Sequence, residues 1–406
     1  MSAAPAEVDF LVVGAGIAGA SIAYWLAREA SVLLVERESQ PGYHSTGRSA
    51  ALFEECYGPT QVRALTRASR AFFEQPPAGF AAQPILRERG AMFVGRAGQQ
   101  AAAQALFDTL RVHSPRIAML NGDAIRARVP VLRAEHAACG VADPDAADMD
   151  VNGLHQGFLR GVKAAGGQLW CDAPLRHAER CGAHWWVQVG QQVGAQVGAQ
   201  LGEQSLRASV IVNAAGAWAD AVAALAGAAP QGIEPRRRAA FTFAPPAGLR
   251  VADWPAVVNL DESYYFKPDA GVLLGSPANA DPMPPCDVQP EELDIARGIH
   301  AIEEATTLQI RRPLRTWAGL RSFSPSGDLV GGYDPACPGF FWVAGQGGYG
   351  IQTSAAMGEA CAALALGRAV PQHLMDHGVA PTMFLPAHPP ATVRATSPAP
   401  HPRALL

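Results

Sequence analysis

Two glycine clusters near opposite ends of this 406-residue chain are the residues best suited to chemistry. Gly14, Gly16 and Gly19 stand in Gly-Ala-Gly-Ile-Ala-Gly, after an apolar run at 8–13 and before helix-like sequence at 20–30. That spacing lets the backbone of Gly14, Gly16, Ile17, Ala18 and Gly19 approach a diphosphate, and the start of the helix adds partial positive charge. A second apolar run, 31–36, ends in Glu36 and is followed by Arg37. A carboxylate there can accept hydrogen bonds from ribose hydroxyls, and it disfavours a 2′-phosphate. The set points to an adenine dinucleotide, with FAD and NAD both open. The second cluster, Gly347-Gly348-Tyr349-Gly350-Ile351-Gln352, also follows an apolar run and precedes helix-like sequence. FAD needs such a second turn, because its isoalloxazine is held far from its adenine. The start of the following helix would favour negative charge on the reduced ring, so FAD is the expected cofactor.

The elements that must position these clusters read as strand, turn, helix and strand over the first stretch, the length of a βαβ crossover. A helix at 152–167 leads into a strand, and strands "HWWVQV" and "ASVIVNAAGAW" follow. Between these lie blocks of other character, with strands "AMFVG", "RAAFTFAPP" and "YYFKPDAGVLLGS" and a helix near 290–306. The fold class is therefore α/β: a Rossmann-like dinucleotide domain, discontinuous over 1–83, 140–220 and 321–375, with an inserted α+β domain over 84–139 and 221–320. The Gly-Gln repeat at 189–204 reads as an expanded hairpin loop. The Pro- and Ala-rich segment 376–406 reads as a disordered tail.

Composition bounds the rest. Apolar residues are 49% and charged residues 17%, with a formal net charge of −4. That balance gives no reason to expect nucleic acid as a partner. No apolar stretch is long enough to span a bilayer. Seven cysteines are scattered without paired spacing, which suggests reduced thiols in a cytoplasm and no metal site.

Five motifs in order, "DFLVVGAGIAGASIAYWLA", "HSTGRSAA", "NAAGAWAD", "GLRSFSPSGDLVGGY" and "GGYGIQTS", make the chain resemble the FAD-dependent D-amino-acid oxidase superfamily, and within it the D-arginine dehydrogenases. The resemblance runs from about residue 7 to 375. It implies that Ser45, Thr46, Gly47, Arg48, Ser49, Ala50, Ala51 and Leu52 lie along pyrophosphate and flavin, and that the Leu175 backbone contacts adenine. Covalent relatives attach their flavin in the region matching 317–333, which contains no cysteine here, so non-covalent FAD is implied. Arg321 and Tyr265 would grip the α-carboxylate of an amino-acid substrate, with Arg238 as a second arginine beside them. Its neighbours Arg236 and Arg237 read as solvated. Tyr57 would lie on a loop closing over the substrate, and the Gly348 carbonyl would accept from the amine.

The implied reaction is oxidation of a D-amino acid to an imino acid, then to a 2-oxo acid and ammonia, by hydride transfer from the α-carbon to flavin N5. No acid or base is essential, although His44 and Glu54 could assist proton removal. One departure bears on the substrate: where D-arginine specialists place a glutamate this chain has Ala91, and Leu52 and Glu54 replace a histidine and a threonine. Either the pocket prefers apolar side chains, or Glu54 restores the charge from another direction. Alternatives are an oxidase or dehydrogenase for N-methyl amino acids or glycine on the same fold, and an NAD-dependent dehydrogenase resting on the first glycine turn alone. The electron acceptor is not legible.

Overall fold

A computed structural model describes residues 7–112, 114–192 and 201–386. Strand Glu7–Val13 lies at the centre of the first sheet, parallel to Val32–Val35 on one side and to Leu201–Asn213 on the other. Gln168–Trp170 extends one edge in parallel, and Phe340–Ala344 pairs in parallel with the end of Leu201–Asn213. Parallel strands covered on both faces bury side chains on both, which is why residues 11–13, Val32–Val35 and Phe340–Ala344 read as unbroken apolar runs. Helices Ile17–Leu26, Val151–Ala164 and Ser354–Ala365 cover one face, with Tyr24, Phe72, Phe80 and Phe158 forming an aromatic cluster. Small residues bring these helices together: a Cβ on Gly358 would stand 2.8 Å from Ser21, and one on Gly161 would strike the Tyr24 ring. The hairpin Leu175–Cys181 with His184–Gln192 and the helix Ala219–Leu225 build the core on the other face.

The second sheet runs Asp281–Pro282, Glu234–Phe243, Val272–Ser276, Tyr265–Asp269, Ala256–Asn259, Ala91–Gly95, Cys139–Asp143 and Ala118–Asn121, and Arg315–Phe323 pairs along Glu234–Phe243. Helix Glu292–Ala305 packs on one face through Ile295, Ile302 and Ala305. Because Cys139–Asp143 and Arg315–Phe323 are strands of this sheet, breaks placed at 139/140 and 320/321 cut through strands. A small third sheet joins Leu52–Phe53, Ala147–Met149 and Leu86–Glu88.

Three expectations need correction. The tail from 376 is not disordered at its start, since Pro381–Phe384 forms a 3-10 turn and Phe384 is fully buried. Gln61 pins it by donating to the carbonyls of Met383 (2.6 Å) and Leu329 (2.8 Å). Residues 387–406 lie outside the described residues. The Gly-Gln repeat is strand at both ends, with Gly190 opposite Glu203 and Gln192 opposite Leu201; residues 193–200 lie outside the described residues. Arg237 is not solvated but 5% exposed, for reasons given below. Among the described residues no helix is long and apolar enough to cross a membrane, and no cluster of three or more His, Cys, Asp or Glu is placed to hold a metal.

Candidate active site

The two glycine turns meet at the C-terminal ends of the first sheet. Gly14 has φ +99°, and a Cβ there would stand 2.6 Å from the Ala214 carbonyl oxygen, so the turn requires glycine. Gly19 lies where a Cβ would be 1.9 Å from the Gly14 carbonyl; its part is to let helix and strand close up. The intervening peptide is clamped from both sides. The Ala15 N–H donates to Glu36 Oε2 at 2.9 Å, and His155 Nε2 lies 2.8 Å from the Ala15 carbonyl. Burial pushes the His155 pKa down, so a neutral ring donates through Nε2. The Ile17 N–H donates to Thr46 Oγ1 at 3.0 Å, which joins the turn to the 45–51 segment.

A cleft of about 330 Å³ opens along this turn. Gly14, Gly16, Ile17, Ala18, Glu36, Arg37, Ser45, Thr46, Leu175 and Gly347 line it. Glu36 is 7% exposed and also accepts from the Glu38 N–H at 3.0 Å. Each carboxylate oxygen has two acceptor sites, so capacity remains for ribose hydroxyls. Ser45 Oγ donates to the Leu320 carbonyl at 2.5 Å. Arg48 pairs with Asp287 and donates to the carbonyls of Val288 (2.8 Å) and Ala318 (3.1 Å), tying this wall to the second domain.

The cleft continues into a smaller one of about 110 Å³, lined by Ile17, Arg48, Ser49, Ala50, Arg238, Tyr265, Arg321, Gly347, Gly348, Gly350 and Ile351. Gln346 lines both clefts, and its Nε2 is buried without a hydrogen-bond partner. A buried donor left unpaired is costly, so an acceptor supplied by a ligand fits that position. Sequence reasoning missed Gln346, which immediately precedes the second glycine cluster.

Arg321 projects from strand Arg315–Phe323 and packs against Gly348, where a Cβ would stand 2.6 Å from its Cζ. Burial alone would pull its pKa down, but Tyr57, Tyr265 and Tyr349 outweigh burial and the net shift is upward. Of the three, Tyr57 contributes most. Arg238 comes from the neighbouring strand, with Nε donating to the Asn279 carbonyl at 2.5 Å and Nη1 buried without a partner. Burial first, and the Arg321 charge second, push its pKa down to about 10. Two guanidiniums thus share one desolvated cleft, an arrangement that an incoming anion relieves.

Other expected site residues sit elsewhere. Tyr349 is 2% exposed and packs edge-on against Tyr57, ring centroids 4.7 Å apart. Gln352 is buried and exchanges hydrogen bonds with the Glu54 backbone (3.2 and 3.3 Å). The chain turns at Tyr349–Thr353, where the Thr353 N–H reaches the Tyr349 carbonyl, and that turn carries both side chains away from the clefts. Gly47 packs on Gly42, while Ala51 and Leu52 are tied to Met149 and Asp148 in the third sheet. Ala91 is buried opposite Asp143. Glu54 is 3% exposed, and burial, reinforced by Asp143, pushes its pKa up to about 8. The same burial raises Asp143 to about 6. His44 bonds Glu38 at 2.9 Å beside the larger cleft.

The family model described as DAO, FAD dependent oxidoreductase, matches residues 9–364. The chain belongs to the DAO family of FAD-dependent oxidoreductases. FAD is therefore the cofactor of this DAO-family enzyme, and the glycine cradle and the orphaned Gln346 donor fit it. Over 408 residues the chain is 23% identical to bovine (Bos taurus) "FAD-dependent oxidoreductase domain-containing protein 1", covering 89% of this chain and 82% of that one. Glycine oxidase from Geobacillus kaustophilus superposes with a TM-score of 0.75 at 18% identity, covering 90% and 96% of the two chains. L-alpha-glycerophosphate oxidase from Mycoplasma pneumoniae, a structure with FAD bound, superposes at 0.77 with 16% identity, covering 89% and 95%. At these identities the structural likeness shows the DAO fold alone.

Proposed function

We propose that this flavoenzyme is a D-amino-acid dehydrogenase, similar to the D-arginine dehydrogenases but with an altered side-chain pocket. One observation carries the reading: two half-buried arginines, Arg321 and Arg238, face one cleft, and Arg238 Nη1 is buried without a partner. A planar carboxylate can meet guanidinium groups with parallel charge-assisted hydrogen bonds. Tyr265 lines the same cleft and can add its phenol. The D configuration is supported by the resemblance of the motifs to D-arginine dehydrogenases.

In this reading Arg321, Arg238 and Tyr265 fix the carboxylate, and the Gly348 carbonyl accepts from the amine. Holding two points of the α-carbon fixes its C–H direction, so most of the protein's contribution is orientation. Tyr57, buried beside Tyr349, excludes water from the carboxylate side. Bound FAD supplies the acceptor for the hydride that leaves the α-carbon. Loss of one ammonium proton frees the nitrogen lone pair to form the C=N bond of the imino acid, which water converts to a 2-oxo acid and ammonia.

The smaller cleft favours the apolar version of the side-chain pocket, since among the described residues no carboxylate lines it. Glu54, outside both clefts with its carboxyl buried and its pKa raised to about 8, is protonated at neutral pH and offers a cationic side chain no charge. Leu52 and Ala91 also lie outside both clefts. The absence of a cysteine from 317–333 supports non-covalent FAD, and the free cysteines support a reducing compartment. The test is steady-state turnover of D-leucine, D-methionine and D-arginine and their L enantiomers with an artificial electron acceptor. The reading expects D over L, and leucine or methionine over arginine. Preference for D-arginine would overturn the apolar pocket, and preference for L substrates would overturn the D assignment.

A further inference from the structure

We propose that Asn279 is a positioning residue that holds the Arg238 guanidinium in the substrate cleft with its terminal nitrogens free, and couples it to an ion-pair network, centred on the buried Arg237–Asp294 pair, on the opposite face of the same strand. The inference rests on the reading of Arg238 as a carboxylate ligand.

Strand Glu234–Phe243 changes neighbours along one edge. Arg236 and Arg237 pair with Asp281–Pro282, and Phe241–Phe243 pair with Val272–Ser276. Between them the ladder is interrupted, and side chains take the place of a strand. The Ala239 N–H donates to Asn279 Oδ1 at 2.9 Å, and the Ala239 carbonyl accepts from Ser276 Oγ at 2.7 Å. This interruption brings the Asn279 backbone carbonyl to Arg238 Nε at 2.5 Å.

Side chains alternate along a strand, so Arg237 leaves the face opposite Arg238. There its Nε donates to Asp294 Oδ2 at 2.9 Å, and its Nη1 pairs with Glu291. Asp294 is 3% exposed, at the start of helix Glu292–Ala305. Asn279 Nδ2 donates to that same Asp294 Oδ2 at 3.0 Å and to Asp281 Oδ2 at 2.7 Å. Both amide hydrogens, the amide oxygen and the backbone carbonyl of Asn279 are thus engaged. The preceding residue, Ala278, is held at φ +52°, a strained conformation that persists only where its surroundings over-determine it.

The physical need is repulsion. Arg238 and Arg321 are like charges in a desolvated cleft, and an untethered Arg238 would turn away. Ligand binding would then have to restore its order, and ordering one long side chain lowers affinity by about tenfold. Asn279 has already done that work.

The experiment uses the FAD-loaded protein in a double-mutant cycle of Asn279→Ala and Arg238→Met, reading the Kd of propionate from the flavin absorption change, with flavin content and melting temperature alongside. Asn279→Ala should weaken propionate about tenfold and raise KM more than it lowers kcat. In the Arg238→Met background it should weaken propionate no further. An equal tenfold loss in that background, or an unchanged Kd in folded Asn279→Ala, would overturn the role of Asn279. If Asn279→Ala does not fold, Asn279→Ser keeps a hydroxyl oxygen that can accept from Ala239 but replaces the two amide hydrogens by a single hydroxyl hydrogen, and the same two outcomes apply. Arg238→Met with an unchanged propionate Kd would instead overturn Arg238 as a carboxylate ligand.

Discussion

Replacing Arg321 by methionine keeps a long apolar stem against Gly348 and removes only the planar cation, so the fold should survive. The guanidinium is half-buried, and Tyr57, Tyr265 and Tyr349 outweigh the effect of that burial on its charge. Truncating one partner of a buried, hydrogen-bonded charge pair costs roughly 2–5 kcal/mol. At about 1.36 kcal/mol per factor of ten, kcat/KM should fall roughly 30- to 5,000-fold. Arg238, freed from its neighbour's charge, remains to hold the carboxylate, which argues for the middle of that range. Anaerobic stopped-flow reduction of the flavin separates the two contributions. A weaker Kd reports lost grip, and a slower limiting rate reports a misaligned α-carbon. The amine of D-leucine lacking its carboxylate, 3-methylbutylamine, serves as control and should react equally slowly with both proteins. A flavin-loaded Arg321→Met enzyme within threefold of wild type in kcat/KM would refute the reasoning.

Further outcomes follow from the same geometry. Glu54 has a folded pKa of about 8, above its unfolded value of 4.5, so its contribution to stability is intact below pH 4.5 and is lost as pH rises towards 8. Glu54→Gln should match wild type in urea unfolding near pH 4.5 and exceed it by on the order of several kcal/mol at pH 9; a pH-independent difference would contradict this. Gly14→Ala forces a side chain into φ +99° and onto the Ala214 carbonyl, so the purified variant should show a flavin-to-protein ratio near zero. Acid denaturation should leave the yellow chromophore in the supernatant, and a coloured pellet would show a covalent link.

The dinucleotide half was legible because its signals are local. Strand, turn, helix and terminal acid follow one another within one crossover, and Gly14, Glu36 and Leu175 line one cleft. Arg321 and Arg238 could be carried over only by resemblance, since their meeting depends on the pairing of Glu234–Phe243 with Arg315–Phe323. Arg237 was misread because three adjacent arginines look like a solvated run. Alternation sends the middle one to the opposite face, but its acidic partners come from 281–294 and no local pattern reveals them. Tyr349 and Gln352 were assigned with their glycine neighbours, yet a single backbone turn separates residues that contact the clefts from residues that support the loop. Gln346 and Asn279 carry no motif, and only an unpaired buried donor and an interrupted ladder bring them into view.

In the proposed function, an arginine pair presents an amino acid to FAD held between loops from both ends of the chain. The most direct test is anaerobic titration of the purified protein with D-leucine and L-leucine, following flavin absorbance. The account predicts stoichiometric bleaching by the D enantiomer, abolished or strongly slowed in Arg321→Met. A flavin-loaded protein that no D-amino acid bleaches would contradict it.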